Sequence, residues 1–246
     1  MLDKPHVFLD EIMRQAYDSE IIRFSMWIRE GKPINKFPVS NEQVMFVHKN
    51  DITTGMYKWA DQILCATNAQ RNSVNNYMRE IMGFGAEPQV GDKIISLHNQ
   101  WNFLSSDFNE EPLTNGSIGI IKTIQPSRYF LPKYISDNDV DILYTSMIDE
   151  NGNKFEGIPI DYKYLTTGEK ALTPQQEFKM RKGKNLPDPP FEFAYAYGIT
   201  GHKAQGSEWS NVLAMEERFP FDKTEHARWC YTVATRASNK LVWQLT

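Results

Sequence analysis

The residues best suited to chemistry stand in one short segment, Tyr195–Trp209, which reads Y-A-Y-G-I-T-G-H-K-A-Q-G-S-E-W. Thr200, His202 and Lys203 follow an apolar run typical of a strand, so we expect them at the sheet edge where open α/β proteins bind ligands. A hydroxyl, an imidazole and an ammonium at this spacing suit phosphate oxygens. The same residues could instead begin a capped helix, and spacing alone favours neither interpretation.

Two later positions extend the phosphate chemistry. Gly206 permits close backbone approach, and Glu208 is an acceptor for a ribose hydroxyl or, alternatively, a bridging residue in a helix.

The segment Tyr231–Ala237, Y-T-V-A-T-R-A, places Arg236 near the end of a predicted helix. This arginine either favours the helix C-terminus by a few tenths of a kcal/mol or acts as an arginine finger, which accelerates phosphoryl transfer by about 10³ to 10⁵. Arg14 has two similar interpretations, as a second finger or as a partner in a helix salt bridge.

A phosphate-binding loop is absent from the sequence. Such a loop reads Gly, four residues, then Gly-Lys-Ser/Thr. The Gly-Lys pairs at 31–32 and 183–184 are followed by proline and asparagine, so neither fits. In the near match at 116–123, Ile121 occupies the place of the second glycine, which favours an ordinary strand.

Composition excludes a generally basic nucleic-acid binder. The 246 residues carry a net charge of −4, so any contact with nucleic acid must come from a local patch. The apolar content of 41% is enough for a packed core in one large domain or in a domain with an added module. The one dense basic run, Lys179–Lys184, is interpreted as a solvated helix end.

Cys65 and Cys230 stand in apolar surroundings and are predicted to be buried free thiols. The five histidines show no metal-ligand spacing, so no metal site is predicted. The sequence has no signal peptide and no apolar run long enough to cross a membrane, which predicts a cytoplasmic protein without a membrane partner.

The pattern of elements predicts an α/β fold interrupted by a β-module. Ser19 is expected to cap a first helix, and the strand 62–66 leads into a helix that carries Arg71 in its first turn. Short β-rich runs at 93–98, 116–124, 140–148 and 154–160 predict a small antiparallel barrel. The α/β pattern then resumes with strands at 191–199, 211–215 and 241–245 and a helix at 223–237. The predicted organisation is a first part of the α/β domain at 1–87, the barrel at 88–165, a connector at 166–190 and a second part at 191–246.

The order of these segments closely resembles the second RecA-like domain of superfamily 1 DNA helicases, the UvrD-like C-terminal domain. The segments are E-I-M-R-Q-A, I-L-C-A-T-N-A-Q-R, the β-insert, T-G-H-K-A-Q-G-S-E-W and Y-T-V-A-T-R-A. The short insert is similar to that of the RecD/Dda-like branch, whose barrel is SH3-like and whose translocation runs 5′ to 3′. The implied fold is a RecA-like parallel sheet of the P-loop-NTPase type, without its own P-loop, interrupted by an SH3-like barrel.

The resemblance implies the nucleotide contacts. Arg14 and Arg236 would meet the γ-phosphate of an ATP, with its Mg²⁺, held mainly by another domain. Glu208 would bind the ribose, Gly206 would shape the turn, and Gln205 would couple the ATP and DNA sites.

It also implies the remaining contacts. Thr200 and His202 would touch the backbone of single-stranded DNA, with Lys203 in support. Arg71 belongs to a segment that lines the cleft and is assigned to ATP binding.

The chain departs from the family pattern in three ways. Gly201 stands where a β-branched residue is common, and Ala204 stands where serine is common. The larger departure is that the first RecA-like domain, with the P-loop and the Mg²⁺-binding acid, is absent from these 246 residues.

The predicted function is therefore the C-terminal portion of an ATP-dependent 5′-to-3′ DNA helicase that does not hydrolyse ATP alone. Its N-terminal RecA-like domain would be supplied in cis or in trans, in a bacterial or phage-encoded protein. The alternatives are a non-catalytic DNA-binding module and a subunit of a helicase–nuclease complex of the exodeoxyribonuclease V kind, with nuclease subunits as partners. Exposed barrel aromatics would favour the module by stacking on bases, and buried ones would fill the barrel core; these are Trp101, Phe103, Phe108, Tyr129 and Phe130.

Overall fold

The computed structural model describes residues 19–107, 110–183, 186–217 and 222–245. The sequence predictions made for Arg14 and Phe108 lie outside these residues. In the part of the chain that is described, no helix has the length and apolar character needed to cross a lipid bilayer.

The described residues form six α-helices and twelve β-strands. The helices are α1 (Glu20–Arg29), α2 (Thr54–Trp59), α3 (Asn68–Ile81), α4 (Tyr162–Thr167), α5 (Pro174–Lys182) and α6 (Lys223–Ala234). The strands are β1 (Val44–His48), β2 (Gln62–Cys65), β3 (Lys93–Ser96), β4 (Gln100–Leu104), β5 (Pro112–Leu113), β6 (Ile118–Tyr129), β7 (Val140–Asp149), β8 (Lys154–Asp161), β9 (Phe193–Tyr195), β10 (Gly198–Thr200), β11 (Trp209–Met215) and β12 (Ala237–Leu245).

The chain divides into two units by its pattern of contacts. The first unit combines residues 1–71 with 199–246, and the second is the continuous segment 72–198. The chain therefore leaves the first unit at residue 71, builds the second and returns to the first at residue 199. The boundaries expected from the sequence, at 87/88, 165/166 and 190/191, remain predictions.

The first unit contains a five-stranded sheet in the order β1-β12-β11-β2-β10. Strands β1, β12, β11 and β2 run parallel, with Val44 opposite Leu241 and Cys65 opposite Met215. Every residue of β2 is buried, as expected for a central strand of a parallel sheet. The predicted α/β class with a parallel sheet is confirmed.

Helix α1 covers part of this sheet with an aromatic contact. The Phe24 ring is fully buried and meets the Trp243 ring of β12 edge-on at 5.3 Å between centroids. Ser19 caps the helix by accepting a hydrogen bond from the Ile22 N–H, as the sequence predicted. Each large buried aromatic side chain contributes on the order of 2–3 kcal/mol by leaving water.

Glu20, the first residue of α1, fastens the helix to the segment that leads into β1. Its buried carboxylate accepts hydrogen bonds from the backbone N–H groups of Ser40, Asn41, Gln43 and Val44. Burial by itself would raise the pKa of Glu20, but these backbone donors outweigh it and hold the pKa below its ordinary value of 4.5.

Replacing Glu20 with glutamine is expected to lower the free energy of unfolding at neutral pH by about 2–3 kcal/mol, because the charged acceptor of four backbone donors is lost. The pKa is lower in the folded state, so the stabilisation is complete above the unfolded pKa of 4.5 and is lost as the pH falls through the folded value. Urea unfolding at a series of pH values measures both effects. A variant with the same acid dependence as the parent would contradict the assignment.

The second unit contains an antiparallel sheet in the order β8-β7-β6-β3-β9. Phe191, two residues before β9, forms a parallel bridge with Ile160 of β8, so the two edge strands of the sheet are linked. The Phe191 N–H donates to Pro159 O, and the Asp161 N–H donates to Phe191 O at 2.9 Å. The sheet therefore closes on itself around a core that includes Ile94, and closure removes exposed strand edges.

A buried ion pair joins α3 to the segment before β3. The Arg79 guanidinium donates to both oxygens of Asp92, at 2.9 and 3.2 Å, and stacks on the Tyr195 ring. Asp92 is fully buried and also accepts from the Tyr197 hydroxyl at 3.0 Å. Both charges are paired and hydrogen-bonded, which is the condition for tolerating them in a core.

Three sequence predictions on element bounds are wrong. The single strand expected at 191–199 is two strands, β9 in the antiparallel sheet and β10 in the parallel sheet. The Asn75 side chain occupies the point of division, since it donates to the carbonyls of Tyr195 and Gly198 and accepts from the Gly198 N–H. Helix α6 ends at Ala234 rather than 237, and β12 begins at Ala237 rather than 241.

Candidate functional site

The loop 201–208 begins at the carboxyl end of β2. The Gly201 N–H donates to the carbonyl of Cys65, the last residue of that strand, at 3.1 Å. The N–H groups of Lys203 and Ala204 both donate to Thr200 O. The loop is a succession of turns, so the alternative of a capped helix start is wrong, and Thr200 and Lys203 lie at the sheet edge predicted for them.

Gly201 makes room for α6. A β-carbon at this position would lie 2.6 Å from Trp229 Nε1 and 2.9 Å from Val233 Cγ2. Trp229 cannot move aside cheaply, because its buried ring packs edge-on against Trp243. The glycine that departs from the family pattern is therefore required by the packing of this helix.

Replacing Gly201 with valine, the residue type common in the family, is expected to lower the free energy of unfolding by about 1–3 kcal/mol through overpacking. Urea unfolding followed by tryptophan fluorescence measures the change. Gly55→Val is a matched control in the same unit, since a β-carbon there meets only the Thr53 hydroxyl oxygen at 3.5 Å. Equal effects of the two substitutions would contradict the packing argument.

Two cations lie together at the carboxyl end of β2. Burial first, and then the positive charge of Arg71, lower the pKa of Lys203 below its ordinary value. Arg71 also acts electrostatically on the Cys65 thiol, whose pKa is raised to about 12 by burial and by Glu217, against the influence of Arg71. A positive pair at a strand end favours a bound anion such as a phosphate.

A second group forms where β11 and β12 begin. The Arg236 guanidinium donates to Ser207 O and Thr232 O, each at 3.0 Å, and to the Thr235 hydroxyl at 3.1 Å. The Trp209 N–H donates to Arg236 O at 2.9 Å. The segments Tyr195–Trp209 and Tyr231–Ala237 are thus joined directly, because the Arg236 side chain of the second donates to a backbone carbonyl in the loop of the first.

The two neighbours of Ser207 are Gly206, which lies in a turn, and Glu208, which leads into β11. Gly206 has φ +90, which an L side chain rarely adopts, and a β-carbon built there meets no described atom within 4 Å. Glu208 is exposed and directly precedes β11. Both residues lie beside the one whose carbonyl Arg236 holds.

The predicted site residues therefore form two groups at opposite ends of the same parallel strands. Thr200, Lys203 and Arg71 lie where β2 ends, whereas Gly206, Glu208 and Arg236 lie where β11 and β12 begin. Arg71, which the sequence assigned to ATP binding with Glu208, acts electrostatically on Lys203, and its assignment to the nucleotide stays a prediction. The loop 201–208 connects the two groups.

Two charged residues of α6 that the sequence reasoning missed join this loop. His202 and Gln205 line a cavity of about 380 Å³ together with Glu225 and Arg228. Gly201, Trp229 and Thr232 complete its wall. The helix positions 225, 228, 229 and 232 follow i, i+3, i+4 and i+7, which is one helix face, so this spacing within the predicted helix was the available signal.

The described aromatic side chains that could either stack on bases or fill a core are of both kinds, exposed and buried. Trp101 and Phe130 are 64% and 78% exposed. Tyr129 is buried with Ile142, and Phe103 packs edge-on against Phe191 at 5.3 Å. Cys65 and Cys230 are buried free thiols, as predicted.

One family model matches the segment that holds these groups. Residues 195–243 match the UvrD-like helicase C-terminal domain. This range contains both late sequence segments, and the resemblance to the C-terminal domain of superfamily 1 helicases is confirmed. No curated protein sequence matches the chain.

Solved helicase structures share the fold. The chain is similar to a Pif1 helicase from Candida albicans, with 14% identity and a TM-score of 0.51 over 96% of this chain and 55% of that one. It is also similar to a Pif1 helicase from Bacteroides in complex with ADP-AlF3 and ssDNA, with 11% identity and a TM-score of 0.50 over 93% of this chain and 49% of that one. The chain spans about half the length of these helicases. The likeness shows the fold, a parallel α/β sheet of the kind found in RecA-like helicase domains.

Proposed function

We propose that this chain, whose residues 195–243 match the UvrD-like helicase C-terminal domain, is the C-terminal portion of an ATP-dependent 5′-to-3′ DNA helicase. One observation carries the proposal: two groups of polar residues lie at opposite ends of the parallel strands and are connected by a single loop. One group faces the nucleotide in the proposed motor, and the other faces the DNA.

The nucleotide group consists of Arg236, Gly206 and Glu208. The three hydrogen bonds of the Arg236 guanidinium to described residues use one donor on each of its three nitrogens. A guanidinium has five N–H donors, so two remain for a γ-phosphate oxygen. Because these hydrogen bonds already fix the guanidinium, the site needs less rearrangement to stabilise the charge that develops in the transition state. ATP and Mg²⁺ would be held mainly by another domain. Arg14 is proposed as a second arginine of this group, and only the sequence resemblance supports it.

The DNA group consists of Thr200, His202, Lys203 and Arg71. The proximity of Arg71 to Lys203 supports a place for Arg71 on the DNA backbone rather than on ATP. Two adjacent cations and a hydroxyl suit consecutive phosphate oxygens. His202 is exposed on the same loop and supplies a further donor.

The loop 201–208 is the proposed connection between the two groups. A shift of Arg236 toward a γ-phosphate pulls on Ser207, whose carbonyl it holds. Gln205 lies between Ser207 and His202 and lines the cavity beside α6, a position that supports its role in coupling. Closing and opening of two RecA-like domains around ATP would in this way change the grip on single-stranded DNA.

The finer features of the proposal rest on the resemblance to the RecD/Dda-like branch. They are an SH3-like identity of the closed antiparallel sheet, 5′-to-3′ polarity, and an N-terminal RecA-like domain in cis or in trans. A DNA motor of this kind works where DNA is, so the proposal includes an intracellular location.

A second candidate function is a stand-alone DNA-binding module. The exposed rings of Trp101 and Phe130 favour it, because aromatic side chains on a surface stack on unpaired bases. This candidate needs no ATP and no second domain.

A reconstitution experiment tests the proposal. The chain alone is expected to show no ATP hydrolysis, and adding an N-terminal RecA-like domain that carries the P-loop is expected to produce ATPase activity stimulated by single-stranded DNA. The double substitution Arg71→Ala and Lys203→Ala should weaken the stimulation by DNA while leaving basal hydrolysis in place. DNA binding by the chain without any ATPase in the mixture would support the module instead.

A further inference from the structure

Three metal-ligating side chains converge outside the proposed nucleotide and DNA groups. Glu216 directly follows β11, and His226 and Cys230 lie one turn apart on α6. The donor atoms of the three side chains all lie within 4.8 Å of one another. His226 Nε2 is 3.0 Å from Glu216 Oε1 and 3.5 Å from Cys230 Sγ.

Two of these separations fit tetrahedral zinc. With Zn–N and Zn–O bonds of about 2.0 Å and a Zn–S bond of about 2.3 Å, tetrahedral ligands are about 3.3–3.6 Å apart. The two distances from His226 Nε2, 3.0 and 3.5 Å, are near this range, and the third separation, between the Glu216 and Cys230 donors, is within 4.8 Å. A mixed set of carboxylate, imidazole and thiolate suits a borderline-soft ion rather than Mg²⁺ or Ca²⁺.

The carboxylate is oriented by a second contact. The Trp243 indole N–H donates to Glu216 Oε2 at 2.7 Å, which turns Oε1 toward the imidazole. Metal-binding carboxylates are commonly fixed by such hydrogen bonds. Glu216 and Cys230 are buried, so the ligand atoms are held by the surrounding core.

The cluster is accessible from one side. Glu216, His226 and Cys230 line an open cavity of about 460 Å³, which His48 and Lys223 also line. His226 is 29% exposed and is the most accessible of the three ligands. An ion can therefore reach the three ligands through this cavity without unfolding of the chain.

We propose that Glu216, His226 and Cys230 bind one Zn²⁺ ion through three protein ligands, with a solvent molecule in the fourth position. Binding replaces the S–H bond of Cys230 with an S–Zn bond and releases the proton to solvent. The ion would tie the end of β11 to α6, the helix that leads to Arg236.

The spacing of histidines along the chain could not indicate this site. Its ligands are of three residue types, and Glu216 reaches the other two only through the fold. His226 and Cys230 are four residues apart, which places both donors on one helix face.

Cobalt substitution tests the site directly. The chain is freed of metal with a chelator and titrated with Co²⁺, and we expect one equivalent to give the strong visible bands of tetrahedral cobalt together with a thiolate-to-cobalt charge-transfer band. One equivalent of Zn²⁺ should remove both. A titration without the charge-transfer band overturns the proposal.

Variants identify the ligands. Cys230→Ser should abolish the charge-transfer band, and Cys65→Ser, which changes the other buried thiol, should leave it intact. His226→Gln changes the most exposed of the three ligands and should abolish stoichiometric binding in a folded chain, as judged by circular dichroism. Trp243→Phe removes the donor to Glu216 and should weaken Zn²⁺ affinity by about 10- to 100-fold. A band that survives in Cys230→Ser, or that is lost in Cys65→Ser, contradicts the assignment.

Discussion

Replacing Arg236 with alanine is expected to reduce ATP turnover by the reconstituted helicase by about 10³-fold or more, with little change in affinity for single-stranded DNA. The guanidinium is held by Ser207, Thr232 and Thr235 at the end of the strands opposite to Arg71 and Lys203. The substitution removes the positive charge that would lie beside the phosphoryl group. It leaves Arg71 and Lys203, proposed to contact DNA, in place. Steady-state ATPase assays and fluorescence anisotropy with labelled single strands measure the two effects.

Two control variants separate charge from anchoring. Arg236→Lys keeps a positive charge but lacks the planar set of donors, so turnover should recover only in part. Arg181→Ala removes an exposed arginine of α5 and should leave turnover unchanged. If Arg236→Ala weakens DNA binding as strongly as turnover, Arg236 positions the loop rather than the phosphate.

Replacing Asp92 with asparagine is expected to lower the free energy of unfolding by about 3–5 kcal/mol, because the buried Arg79 guanidinium is left without its counter-charge. The substitution also weakens the acceptor for Tyr197, whose hydroxyl lies 3.0 Å from the carboxylate. Chemical unfolding of the parent and the variant in the same buffer measures the difference.

The same unit offers a pair of the same chemistry on its surface. Arg128 and Asp141 lie 2.7 Å apart, but their side chains are 53% and 57% exposed. Asp141→Asn should therefore cost no more than about 1 kcal/mol. If Asp92→Asn and Asp141→Asn lower the free energy of unfolding equally, burial does not determine what the ion pair contributes.

Local signals allowed the sequence to predict several elements correctly. Ser19 caps α1 as expected, and the same kind of local signal is present where Thr67 accepts from the Gln70 N–H at the start of α3 and where Thr173 forms a capping box with Gln176 in α5. Each of these signals depends on neighbours within one helical turn. The β-runs of the second unit were predicted for the same reason, since hairpin partners are close in sequence.

Non-local partners explain the elements that were missed. Strand β1 carries no turn signal of its own, and it is a strand because Val44 pairs with Leu241, far along the chain. The run 191–199 has uniform strand character, yet Tyr195 pairs with Ile94 while Gly198 begins a strand of the other sheet. Partner choice of this kind is a tertiary effect that propensity cannot encode.

The candidate site was predictable in residue type but not in grouping. The polar segments that contain Thr200 and Arg236 were visible in the sequence. That Arg236 holds Ser207, and that Arg71 lies near Lys203, depends on how β2, β11 and β12 align. The register of parallel strands is set by the fold and not by neighbouring residues.

The split of the first unit into residues 1–71 and 199–246 dictates an order of folding on the ribosome. The continuous segment 72–198 has all its partners once it has been synthesised, so it can fold early. Strand β2, whose four residues are all buried in the finished sheet, lies between β10 and β11 and must wait for both to emerge from the exit tunnel. Until then an apolar strand without its partner is exposed, which makes the nascent chain a natural client for chaperones. Closing so long a loop adds only a logarithmic entropy cost, so the interruption affects the timing of folding more than the final stability.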